Sequence, residues 1–124
     1  MSNVMYLITG SIMGGLSRYY LGGLIDQRMG TAFPYGTLVV NISACFLVGV
    51  FSVILDEKFH FGPQARLLMM TGFCGAYSTF STYMLETSNL FITGQMLGVW
   101  MNILLSTGLG FLALCLGVLA GRLI

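Results

Sequence analysis

An all-α integral membrane protein with four spans is the fold class that this sequence predicts, and three observations predict it. Hydrophobic residues fill 56% of its 124 positions and charged residues only 7%, with a mean hydropathy of +0.89; a soluble domain carries roughly 25% charged residues. The few charges cluster, which leaves residues 29–55, 67–85 and 87–121 without any. Each run is long enough for the roughly 20 apolar residues of a membrane helix. A fourth apolar segment, residues 4–25, is interrupted only by Arg18.

Taken in order, the first helix is expected over about 4–25, ending near Gly22 and Gly23. A polar turn with Asp26, Gln27, Arg28, Gly30 and Pro34 follows. The second helix covers about 36–55, and the loop DEKFHFGPQAR after it holds most of the charge. The third covers about 65–92, with a break at about 75–79 where glycine and hydroxyl residues crowd together. Thr93, Gly94 and Gln95 turn the chain into the fourth helix, about 96–122. All of this is one transmembrane domain, 1–124. The opening MSNVMYL has no basic side chain ahead of the apolar run, which predicts a retained span and not a cleaved signal.

Charge and cysteine usage exclude several classes. A net charge of +1 with no basic patch gives nucleic acid nothing to bind. Cys45, Cys74 and Cys115 fall inside expected spans, without disulfide or metal-ligand spacing, and read as small packing residues. His60 lies in a loop, and no nucleophile–base pair or metal cluster accompanies it, so no enzyme is expected. Lys58, Arg66 and Arg122 fall on one face and Arg28, with Arg18 at ambiguous depth, on the other. That bias is too weak to select one orientation in the membrane. Small residues recur four apart at Gly10 and Gly14, Ser106 and Gly110, and Gly117 and Gly121. They suit close helix contacts within the bundle or between subunits equally well. Four short helices enclose a pore with difficulty, which favours a dimer or larger assembly.

Polar groups in the spans are few, and each is costly without a partner or water. Asn41 shares a stripe with Ala44, Cys45 and Gly49, Asn102 with Ser106 and Gly110, and Phe80 with Tyr83 and Glu86. An isolated Asn reads as an interhelical hydrogen bond; three such stripes read as a polar track. Its members offer amide donors (Asn41, Asn102), hydroxyl donors (Thr79, Ser81, Thr82, Ser106) and aromatic edges, whose rims are positive. Neutral donors strip an anion of water without trapping it, as conduction requires.

The stretches GGLSRYY at 14–20, GTLVVNISACFLVG at 36–49 and, most specifically, GFCGAYSTFSTYMLE at 72–86 resemble the Fluc (CrcB) family of bacterial fluoride channels. The likeness covers essentially the whole chain. It implies an antiparallel, dual-topology homodimer in the bacterial cytoplasmic membrane. Two pathways would export fluoride passively, and a central Na+ would be held by backbone carbonyls where the third helix breaks. By position those carbonyls belong to Gly75 and Ser78. The family's pathway phenylalanines map onto Phe80 and Tyr83, its pore asparagine onto Asn41, and its hydroxyl track onto Thr79, Ser81, Thr82 and Ser106. Arg18 and Glu86 take the positions of its first-helix arginine and its acid after the motif, while Asn102 occupies a variable polar position. Tyr83 stands where phenylalanine is usual, Cys45 where glycine is common, and Gly110 where serine often continues the track. Ala76 replaces a glycine, which implies less backbone freedom at the break.

Two other readings are weighed against this one. A small multidrug-type proton-coupled exporter needs an embedded carboxylate in its first helix, where this chain has Arg18 and no acid. A noncatalytic accessory membrane subunit explains the small-residue stripes but not the hydroxyl-rich break.

Overall fold

The computed structural model describes residues 2–124, which form helices and short connections with no strand among them. α1 spans Asn3–Met29 and α2 spans Tyr35–Ser52, continuing as a π-helical Val53–Lys58. The third rod starts with α3, Pro63–Arg66, widens into a π-helical Leu67–Cys74 and closes with α4, Gly75–Tyr77. After a break at Ser78 and Thr79 it resumes as α5, Phe80–Ile92, and α6 runs over Met96–Leu123.

Two of these rods meet the length and hydropathy of a membrane span outright, Tyr35–Lys58 and Met96–Leu123. The outside of the bundle is apolar: Leu97 and Ile92 are 75% exposed and Phe111 71%. Side chains of that kind face lipid, or another subunit, and not water. The protein is a membrane protein.

The rods differ from expectation at their ends. α1 does not stop at Gly22 and Gly23 but continues to Met29, so Asp26, Gln27 and Arg28 are helical. Asp26 explains the extension, because its Oδ1 accepts the Gly36 N–H at 3.0 Å and satisfies an orphan donor at the start of α2. α1 closes at Gly30, which has φ +83 and donates its N–H to the Asp26 carbonyl at 2.9 Å. The second rod also overruns its expected end, to Lys58, because wide π turns carry its charged residues past the apolar run.

Close helix contacts settle what the small residues do within the chain. A Cβ at Gly49 would strike the Leu114 carbonyl oxygen, and one at Gly117 the Phe46 carbonyl oxygen. α2 and α6 therefore touch backbone to backbone. Gly10 and Gly14 let α1 approach the carbonyls of Leu68 and Phe73 in the same way. Without a hydrophobic driving force between helices in lipid, such van der Waals contact supplies the cohesion. Gly117→Val is expected to cost about 1–3 kcal/mol by forcing the pair apart. A lowered unfolding midpoint of the purified protein in mild detergent checks it, and an unchanged midpoint would show that the contact is slack. At the centre, Val40, Ala44 and Tyr77 are buried together and flanked by Leu21, Leu47 and Phe73, so the residues before the break form the heart of the bundle.

Candidate functional site

Thr79 is the hinge of the break. Ser78 (φ −81, ψ 159) and Thr79 (φ −150, ψ 119) are both extended, between the short α4 and the start of α5. Local chemistry explains why the chain stops helical winding here. The Ser78 hydroxyl donates back to the Cys74 carbonyl at 2.9 Å, while Thr79 Oγ1 caps α5 by accepting the Thr82 N–H at 3.3 Å. The backbone of Thr79 is then satisfied from α2: Asn41 Nδ2 donates to its carbonyl at 2.9 Å, and its N–H donates to Asn41 Oδ1 at 2.8 Å. One amide side chain thus replaces the pairing that a continuous helix would have given, as broken backbone at membrane depth requires. The break is narrower than the expected 75–79. Gly75 and Ala76 are helical, with Gly75 at φ −64, so the alanine takes no freedom that the break uses.

The diverted donors leave two carbonyls without their usual helical partners. The N–H that would close onto Gly75 is that of Thr79, which Asn41 takes; the one that would close onto Ser78 is that of Thr82, which the Thr79 hydroxyl takes. Arg18 Nη1 reaches the Ser78 carbonyl at 3.5 Å, the long limit of a hydrogen bond.

Beside the break lies an open groove of about 250 Å³, lined by Asn41, Cys45, Ser78, Thr79, Phe80, Tyr83, Ser106 and Thr107. α5 begins at its edge, and a helix start presents unpaired N–H groups and the positive end of the macrodipole. The rings of Phe80 and Tyr83 stand 5.7 Å apart and tilted by 54°. They are not equivalent: Phe80 is 74% exposed and Tyr83 only 8%. Among the described residues no lysine, arginine or carboxylate lines the groove. Its polar lining is one amide and several hydroxyls.

The remaining expected residues lie elsewhere. Asn102 is buried behind the groove, where its Nδ2 donates to Thr87 Oγ1 at 2.9 Å, and Thr87 in turn donates to the Tyr83 carbonyl at 2.7 Å. Ser106 touches both worlds: it lines the groove and donates to Asn102 Oδ1 over a long 3.4 Å. Ser81 and Thr82 are exposed and do not line it. Glu86 lies further along α5, in a second cavity of about 320 Å³ shared with Asp26, Thr31, Asn89, Thr93 and Gln95. There its Oε1 accepts the Thr37 hydroxyl at 2.8 Å, and its buried Oε2 has no partner among the described residues. Thr37, Thr87 and Thr107 were missed from sequence. Thr37 was within reach, since it precedes Asn41 by one helical turn, but Thr87 and Thr107 have no signal of their own.

Known sequences match this chain over nearly its full length. The pattern of the family described as "CrcB-like protein, Camphor Resistance (CrcB)" matches residues 5–118. This chain belongs to the CrcB-like family. Among its CrcB relatives is a "Fluoride-specific ion channel FluC" of Maridesulfovibrio salexigens, 39% identical over 124 residues that cover 100% of this chain and 98% of the relative. A protein of the same name from Acidobacterium capsulatum is 41% identical over 118 residues, 95% of this chain and 94% of the relative. Another, from a Synechococcus strain, is 44% identical over 119 residues, 92% and 88% of the two chains. These relatives bear the name of a channel and not of an enzyme.

Proposed function

We propose that this CrcB-like chain is the subunit of a fluoride-selective channel that lets the ion leave the bacterial cytoplasm down its electrochemical gradient. The observation that carries the reading is the groove at the break. It combines a charge-free lining of amide, hydroxyl and aromatic groups with the start of a helix, which is what a small, strongly hydrated anion needs to shed water. The relatives named fluoride-specific channels support the choice of ion. On this reading the second N–H of Asn41, the hydroxyls of Ser106, Thr107 and Tyr83, and the edges of Phe80 and Tyr83 receive the ion in turn. Thr79 forms the floor of the groove. The path would open through the second cavity, where Glu86, held by the Thr37 hydroxyl, lies with Asp26.

The working form in this proposal is an antiparallel homodimer with two pathways, each subunit crossing the cytoplasmic membrane four times. Support comes from side chains left exposed at the break: Phe80, at 74% exposure, and beside it Ser81 and Thr82. A groove open on one side needs a second wall. The proposal includes a resident Na+ held by the Gly75 and Ser78 carbonyls of both subunits. These are hard oxygen donors whose helical partners have been diverted, and they suit a hard cation. That ion would tie the two breaks together, and Arg18, now at the long limit from Ser78, would turn toward the anion path.

Purified protein in liposomes tests the proposal. Fluoride is expected to leave loaded vesicles quickly while chloride stays, as read by a fluoride electrode and a chloride electrode on the same preparation. Equal loss of both ions would reject selectivity, and loss of neither would reject the channel.

A further inference from the structure

The connection between the second and third rods carries a surface that the groove does not use. Phe59 and Phe61 are 59% and 55% exposed, with ring centres 5.7 Å apart. Backbone hydrogen bonds hold them in place: the Phe59 N–H donates to the Ile54 carbonyl at 3.1 Å, and the Phe61 N–H to the Leu55 carbonyl at 3.0 Å. Between them His60 adopts φ +46, an uncommon left-handed conformation for a residue with a side chain. The chain accepts that conformation to turn both rings outward from one tip.

The charge pattern around the tip is equally specific. Asp56 pairs with Arg66, and Glu57 lies 3.7 Å from Arg122, so both acids of the loop are matched by neighbouring helix ends. Lys58, directly before the rings, has no ion-pair partner among the described residues. The rod that ends at Lys58 is 24 residues long, enough to cross the hydrocarbon layer, which puts the tip at headgroup depth.

We propose that this loop anchors the protein to the lipid interface, with Phe59 and Phe61 in the headgroup–acyl boundary and Lys58 on the phosphate of an anionic phospholipid. Exposed rings gain from leaving water, and the boundary region accepts them without demanding a hydrogen bond. An unpaired ammonium beside them favours an anionic headgroup over a zwitterionic one. The proposal needs only a membrane and is independent of which ion the groove passes.

Phe59→Trp and Phe61→Trp, each combined with Trp100→Phe, place a single indole at the tip of the full chain. In phosphatidylcholine–phosphatidylglycerol vesicles the emission is expected to be blue-shifted from that of the unfolded chain. Lipids brominated near the top of the acyl chain should quench it more than lipids brominated near the tail end or aqueous iodide. Brominated phosphatidylglycerol should quench more than brominated phosphatidylcholine, and Lys58→Gln should remove that preference. Strong iodide quenching with solvated emission would overturn the anchor, as would insensitivity to every quencher, which means cover by a second copy. Equal quenching by the two headgroups before the Lys58 change would overturn the phosphate contact. If Trp100→Phe fails to fold, the same signals are read as differences from the parent that keeps Trp100.

Discussion

Asn41→Asp is expected to stop fluoride flux almost completely. In the folded chain Asn41 meets both backbone groups of Thr79, giving an N–H to its carbonyl at 2.9 Å and taking its N–H at 2.8 Å. An aspartate keeps the second contact and sets an oxygen against the carbonyl in the first. A buried acceptor left without a donor costs about 1–3 kcal/mol. The larger effect falls on the ion, because a fixed negative charge then lines a groove that has none. At a separation of about 4 Å and an effective dielectric of about 20, two like charges repel by about 4 kcal/mol. That corresponds to a loss on the order of a thousandfold in rate. Fluoride efflux from liposomes at matched protein density measures it, with Asn41→Ala as the uncharged comparison. An aspartate variant that conducts at the parental rate would move the anion path away from this groove.

Phe80→Ile separates conduction from folding. Phe80 is 74% exposed, so its truncation removes little burial, and a stability change within about 0.5 kcal/mol is expected. Its ring is nevertheless part of the groove wall, its centre 5.7 Å from that of Tyr83. Aromatic edge interactions contribute about 0.5–1.5 kcal/mol. Loss of one at a step that limits passage lowers flux by up to about tenfold. Phe80→Trp, which keeps a ring, should retain more flux than Phe80→Ile. Full flux in the isoleucine variant, with an unaltered melting midpoint, would assign Phe80 to contact with lipid or a neighbouring subunit.

The helical rods and the location of the break were legible because their causes are local. Long uncharged runs predict the rods, and the Ser78–Thr79 pair carries the capping chemistry that ends one helix and starts the next. The membership of the groove was only partly legible, for a geometric reason. Two extended residues reset the helical phase, so the stripe before the break does not continue after it. Thr79 lines the groove, whereas Ser81 and Thr82 face outward. Spacing within one unbroken helix served better: Phe80 and Tyr83 do lie together. Asn102 and Ser106 show the limit of that method, since one turn separates a residue that is 1% exposed from one that lines the groove.

By itself the sequence determined a membrane-embedded helical chain with a hydroxyl-rich interruption near the middle of its third rod, because hydropathy and capping act over a few neighbouring residues. Only the tertiary structure decided how that interruption is tolerated and what surrounds it. Asn41 and Thr79 are 38 positions apart, and no periodicity along a single helix can encode which side chain from another rod completes a backbone. The same packing sent the amide of Asn102 inward to Thr87 and turned the rings of Phe59 and Phe61 outward.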